Sequence, residues 1–336
     1  SKFVKNFNND DGSESTLNIS IQDVSNDKYL KLYKIDTNLV DYETNNLESS
    51  IDFTHQNDDS FLGVNTSIFE TLNESYNDKY EYILPEITYD KNLVSNEILG
   101  NLDLQSNFKT HIYDTNKLTN IFVNDLTWNF KEIYHESGFE SKLLANIKNI
   151  NYEAKNVDNF KKDFTSDFYS AFGYLAELEL EKKSTYTEHF LTPKFLFRYA
   201  PGKMRTQRSD GYKLDPISAF SMDRLQVFNN FETGTSGTLG FDYELRKNDI
   251  KKIDFSLAQI INQKNNDKMP SKTSLDNKLS DLVGSVNYNI NNKFELNYNF
   301  SIDHNYSDFN YNEIGTSLAL DPIKIDFDYL EENKHI

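Results

Sequence analysis

The residues with most chemical potential are 53 carboxylates and six histidines, and neither set is spaced for catalysis. His55, His111, His135, His189, His304 and His335 are scattered without metal-ligand spacing. The chain has no Gly-x-Ser-x-Gly elbow and no glycine-rich loop to cradle a phosphate. With so many acids, pairs arise by chance, so no carboxylate couple stands out as acid and base. Asn8-Asn9-Asp10-Asp11-Gly12 reads as a turn, and its carboxylate spacing departs from an EF-hand loop. The expectation is therefore no catalytic residue, no metal and no cofactor. One cluster suits an anionic ligand: Lys203, Arg205, Arg208 and Lys213 lie in the longest polar segment, where they would meet sugar acids or phosphates. The plain alternative for such a charge run is a solvated loop.

The elements flanking that segment are two alternating strands. The first is Phe190-Leu191-Thr192-Pro193-Lys194-Phe195-Leu196-Phe197-Arg198-Tyr199. After the polar excursion from Ala200 to Ser236, the second places Leu239, Phe241, Tyr243 and Leu245 on one face and Gly240, Asp242, Glu244 and Arg246 on the other. Alternation of this kind suits a soluble sandwich as well as a membrane barrel. How it recurs along the chain decides between them.

It recurs throughout. Ser1 to Glu14 reads as polar loop. Period-two patterns then begin at Leu17, Ile19 and Ile21 and continue over Lys28-Tyr29-Leu30-Lys31-Leu32-Tyr33. They return at Leu47 to Phe53, Phe61 to Phe69, and Tyr80 to Leu84 before Pro85, then over 98–108, 121–130 and 143–150. Between Asp167 and Glu181 the long period-two series favours a strand, although Ala, Leu and Glu would also suit a helix. Further strands fall over 253–260, 282–290 and 294–302. In the last pair Asn291-Asn292 forms a two-residue hairpin turn. Phe294, Leu296, Tyr298, Phe300 and Ile302 share one face, and Lys293, Glu295 and Asn297 share the other. The series closes with 314–320, the turn Asp321-Pro322, and Ile323, Ile325, Phe327 and Tyr329. About 16 strand candidates result.

From residue 151 onward the connections alternate long and short: 151–165, 182–187, 200–236, 247–251, 262–279, 291–292, 304–313 and 321–322. In an antiparallel meander this gathers the long loops at one end and the tight turns at the other, as in outer-membrane barrels. Greek-key sandwiches have no reason to keep that parity. The predicted fold class is all-β: an antiparallel up-and-down transmembrane β-barrel, incomplete in this chain. Asp242, Glu244, Arg246, Lys293, Glu295 and Asn297 are then candidates for the lumen. Leu239, Phe241, Tyr243, Leu245, Leu296, Tyr298 and Phe300 are candidates for contact with outer-membrane lipids. No lumenal plug is identifiable in the pattern.

Composition agrees. Hydrophobic residues make up 37% of the chain, with 21 Tyr and 25 Phe. That share, below the roughly 45–50% of ordinary domains, suits a thin apolar layer better than a thick core. Mean hydropathy is -0.69 and no apolar run approaches the length of a membrane helix, which leaves strand-built barrels untouched. A net charge of -18 argues against a nucleic-acid partner and against docking on anionic lipid through a basic patch. Without cysteine there is no disulfide framework.

Several short stretches, in this order, resemble the LptD family of LPS-assembly outer-membrane proteins, also called organic-solvent-tolerance proteins. They are Asp23-Val24-Ser25-Asn26-Asp27-Lys28-Tyr29-Leu30, Tyr80-Glu81-Tyr82-Ile83-Leu84-Pro85-Glu86-Ile87, Leu191-Thr192-Pro193-Lys194, Tyr199-Ala200-Pro201, Phe220-Ser221-Met222-Asp223-Arg224, Phe231-Glu232-Thr233-Gly234 and Gly240-Phe241-Asp242-Tyr243. The resemblance implies an outer-membrane barrel of a Gram-negative bacterium that inserts lipopolysaccharide into the outer leaflet, with an LptE-type plug lipoprotein and periplasmic LPS bridge proteins as partners. It also implies that residues 1–336 belong to one barrel domain, without the family's N-terminal periplasmic jellyroll, gate strands or cysteines. Rival readings are another outer-membrane barrel, such as a receptor or porin, and a soluble β-rich surface or glycan-binding protein.

Overall fold

Strict alternation of side chains along the chain gives strands, and the computed structural model contains almost nothing else. It describes residues 1–8, 12–72, 79–114, 116–158, 160–207, 213–225, 227–248, 250–270, 273–291, 293–320 and 323–333. Among these are 18 strands joined in one sheet. They are β1 (Lys2–Asn8), β2 (Glu14–Ser20), β3 (Asn46–Gln56), β4 (Ser60–Thr71), β5 (Tyr80–Asn96), β6 (Gly100–Tyr113), β7 (Lys117–Asn129), β8 (Ile133–Tyr134) and β9 (Phe139–Lys155). There follow β10 (Thr165–Leu178), β11 (Leu180–Lys183), β12 (Thr187–Ala200), β13 (Gly234–Lys247), β14 (Ile250–Asn262), β15 (Leu282–Asn291), β16 (Phe294–Ile302), β17 (Phe309–Leu320) and β18 (Ile323–Glu332). From β12 to β18 every strand pairs antiparallel with the next in sequence, which is an up-and-down order. β1 pairs with β2, and β18 with β17.

The chain divides into two compact units. One holds residues 1–96, 101–127 and 147–168; the other holds 97–100, 128–146 and 169–336. In the first, one strand face carries a ladder of amides and acids. Asn18 and Asn65 both donate to Asp52, Asn92 donates to Asp103 at 2.7 Å and Ser106 to Asn124 at 2.8 Å. Lys148, almost fully buried, pairs with Asp125 at 3.2 Å. The connection between β2 and β3 folds down so that Leu30 packs against Leu47 and Leu72, with Val24, Ile35 and Val40 around them.

Three sequence expectations are corrected in this unit. The polar start contains a strand, β1, because its Phe3 to Phe7 backbone is paired by β2. Lys28 to Tyr33 is not a strand: α1 (Tyr29–Tyr33) is one helical turn. Its single buried residue, Leu30, is all that the small cluster needs from it. Nor does Pro85 end a strand. β5 runs through it, because Asn65 pairs with Glu86 and Ser67 with Ile83, leaving Leu84 and Pro85 opposite Thr66 alone. A bulge removes the demand for the proline N–H.

The other unit contains β12 to β18. Here the meander follows the predicted registers: Leu282 pairs with Ile302, Gly284 with Phe300, Val286 with Tyr298 and Tyr288 with Leu296. The stretch weighed as a helix is strand, β10 and β11. Asn291, read as the first residue of a hairpin turn, instead ends β15 and pairs with Phe294 after a register shift beyond Asn289. Residue 292, the predicted turn 321–322, residues 9–11 and His335 lie outside the described residues.

Candidate functional site

In the unit holding β12 to β18, strand pairing aligns like side chains in rows. One row crosses seven strands as Leu191, Tyr243, Phe255, Val286, Tyr298, Ile314 and Tyr329. The neighbouring row on that face is Pro193, Phe241, Leu257, Gly284 and Phe300. Many side chains here are exposed: Phe172 is 54% accessible, Leu239 53% and Phe327 58%. Contiguous exposure of this extent is rare on a soluble monomer. Of the other residues read as lipid candidates, Phe241, Tyr243, Leu245, Leu296, Tyr298 and Phe300 sit on this same face, half-buried by one another. Phe241 stacks edge-on against Phe255 at 5.5 Å, and Tyr298 on Phe300 at 5.4 Å.

The opposite face is polar across the same strands. Its rows run Thr192, Asp242, Ser256, Ser285, Asn299, Glu313, and Phe190, Glu244, Asp254, Asn287, Asn297, Gly315, Asp328. Ion pairs link the strands: Lys194 reaches Asp242 at 2.6 Å and Glu177 at 3.4 Å. Ser256 donates to Asp242 at 2.7 Å. Lys251 pairs with Glu244 at 3.1 Å and with Asp254, and Arg246 pairs with Glu244. These groups line a cavity of about 670 Å³ together with Pro216, Ile217 and Phe220. Lys293 and Glu295 are exposed and Asn297 is half-buried.

The polar excursion between β12 and β13 is not a solvated loop. Its described residues fold over the polar face and, with those of the β14–β15 connection, make a core of Met204, Leu214, Ala219, Leu225, Met269 and Leu275 against Ala258, Ile260 and Val283. The strands beneath offer small residues for it to pack on. Thr238 donates to the Ala219 carbonyl at 3.0 Å. Gly240 lies under the Phe220 ring, and a β-carbon there would stand 2.3 Å from the Leu257 carbonyl oxygen. This corrects the expectation that nothing covers the polar face from within the chain: apolar residues in the segment outweigh its charges as a guide to where it lies.

Buried charge fixes that cover. Arg198 and Arg224 are each 1% exposed. Arg198 donates to the carbonyls of Met222, at 2.7 Å, and Glu232. Arg224 grips the Glu232 carboxylate with both Nε, at 2.7 Å, and Nη2, and also reaches Ser236 at 3.1 Å. Burial pushes the Glu232 carboxyl up, but Arg224 and Arg198 outweigh it and hold it below the usual carboxylate range. No role was read for these three residues from the sequence. The signal was the density of Met, Leu and Phe around them, which a solvated loop does not carry.

Of the anion-contact candidates, Arg205 donates to the Asn229 carbonyl. Lys213 pairs with Glu313 at 3.1 Å and sits 3.3 Å from the Tyr311 ring centre. Lys203 is exposed, and Arg208 lies outside the described residues. Among the histidines, His189 bonds Tyr243 at 2.9 Å and His111 bonds Glu81 at 2.5 Å, each across strands.

A sheet with a broad apolar, aromatic face and an opposite polar face over which its own chain folds defines a class of protein, the β-barrel that spans a membrane. The model of the family LptD, LPS transport system D, matches residues 2–335. The chain belongs to that family, a transport family of the outer membrane. No curated protein sequence matches the chain. Among solved structures, the siderophore receptor PirA from Acinetobacter baumannii is similar with a TM-score of 0.41 and 10% identity over 86% of this chain. The chain spans half the length of that receptor.

Proposed function

We propose that this chain is wall and cover of a conduit that carries lipopolysaccharide to the outer leaflet. The observation that carries the reading is the family match over residues 2–335. The two faces give it a physical form. Leu239, Phe241, Tyr243, Leu245, Leu296, Tyr298 and Phe300 meet lipid tails. Asp242, Glu244, Arg246, Lys293, Glu295 and Asn297 meet a hydrated lumen, where a saccharide finds hydrogen-bond partners. An LptE-type lipoprotein occupies the lumen, and periplasmic bridge proteins supply the cargo. Residues 1–336 form one part of a single barrel domain.

The test is depletion of the full-length protein in its own cell. Lipopolysaccharide labelled at the cell surface should fall as the protein is depleted, and return when the gene is restored. Normal surface lipopolysaccharide in depleted cells would end this reading and favour a barrel with other cargo.

A further inference from the structure

The net charge of -18 hides a local reversal of sign. Where β12, β13 and β14 reach their longer connections, residues 201–204 and 262–268 enclose a cavity of about 450 Å³ with Lys203, Lys264 and Lys268 in its lining. Lys203 and Lys264 are exposed, and neither has an ion-pair partner among the described residues. Lys268 donates one N–H to the Met204 carbonyl at 3.1 Å, leaving two of its three donors. The acids in the lining are Asp267 and Glu232. Glu232 is already held by Arg224 and Arg198, which place two positive charges behind one negative.

Immediately beside these ammonium groups the apolar face begins. Tyr199, also in the lining, is 48% exposed, and Ile261, next to Asn262, is 47% exposed. Both belong to the face with Phe197, which pairs with Gly237, itself paired with Ile261. A compact cationic pocket directly above an exposed aromatic wall matches one kind of molecule, an amphiphile with a multiply charged anionic head. Lysines are point charges suited to phosphate, and basic pockets beside membrane-spanning elements hold anionic headgroups.

We propose that the pocket of Lys203, Lys264 and Lys268 holds the phosphorylated headgroup of lipopolysaccharide at the membrane rim, with its acyl chains against Tyr199, Phe197 and Ile261. This rests on the cargo proposed above. It makes the rim a holding point beside the wall, distinct from the lumenal polar face.

The test uses the full-length protein in detergent and fluorescent lipopolysaccharide, native or enzymatically dephosphorylated. Lys203→Glu with Lys264→Glu should weaken binding of the native form roughly tenfold or more, the scale of losing charge-assisted contacts. It should leave the dephosphorylated form unchanged. Lys182→Glu with Lys247→Glu, an equal charge change at the far ends of β11 and β13, should leave both unchanged, and retained heat-modifiable gel mobility reports an intact barrel. Equal weakening by both pairs, or none by the first, overturns the headgroup site while leaving the cargo standing. Wild-type protein that binds no lipopolysaccharide overturns both. Phosphatidylglycerol competing as well as lipopolysaccharide at equal phosphate would assign the pocket to ordinary phospholipid and overturn the proposal.

Discussion

Glu232 is the residue on which the cover over the polar face depends. Its carboxylate accepts from Arg224 at 2.7 Å and is also the ion-pair partner of Arg198, 4.0 Å away. Replacing one member of a buried ion group leaves the others without compensation, whereas replacing all of them by apolar side chains does not. Glu232→Gln should therefore cost about 3–5 kcal/mol, read as lost protection of residues 201–233 in hydrogen exchange. The triple replacement Arg198→Met, Arg224→Met, Glu232→Leu should cost less than the single one. The pH dependence has a definite sign. The folded value of Glu232 lies below the unfolded carboxylate value, about 4.3, so its contribution is complete above that value and is lost as pH falls through the folded one. Protection of the connection should hold at pH 7 and pH 5 and fail only under stronger acid. Glu232→Gln should remove that acid limb.

At the scale of the strand, opposite faces should respond oppositely to charge. Phe241 lies in an apolar row between Pro193 and Leu257, while Asp242, one residue on, lies between Thr192 and Ser256. Phe241→Arg should cost about 2–4 kcal/mol if it lies at mid-membrane, and Leu296→Arg should behave alike, measured by urea unfolding in lipid vesicles. Asp242→Asn should cost far less, although it weakens the pair with Lys194. Equal tolerance at both faces would remove the lipid-facing assignment. This two-face logic was legible in the sequence because period-two alternation is strong from residue 165 onward and the hairpin registers follow from it; the Val286–Tyr298 pair stands where the pattern put it. What escaped depends on contacts distant in sequence. The helical turn at Tyr29–Tyr33 exists to bury Leu30 against Leu47 and Leu72. The packing of Met204, Leu214, Ala219 and Leu225 over the polar face depends on Ala258, Ile260 and Val283, which no local pattern links to Met204 or Leu225. The Arg198–Arg224–Glu232 group joins residues up to 34 positions apart.

At the scale of the chain, the lengths of the connections carry a direction. From β11 onward only two or three residues separate β11 from β12, β13 from β14, β15 from β16 and β17 from β18, whereas longer connections separate β12 from β13, β14 from β15 and β16 from β17. Antiparallel pairing alternates them without exception, so each set lies at one end of the strands. In outer-membrane barrels the short turns face the periplasm and the longer connections the exterior. Residues 1–336 hold no cysteine, so within them an introduced thiol is the sole site for a maleimide, and the protein without that substitution gives the background. Lys264→Cys and Asn305→Cys, both at exposed positions in longer connections, should label in intact cells with a membrane-impermeant reagent. Ser184→Cys and Asn248→Cys, both exposed in tight turns, should label only after the outer membrane is permeabilised. The reverse pattern would turn the barrel over and put the lysine pocket at the periplasmic rim. Labelling of one connection from each set in intact cells would break the up-and-down reading itself, since pairing leaves no way for strand ends on opposite sides to share a compartment.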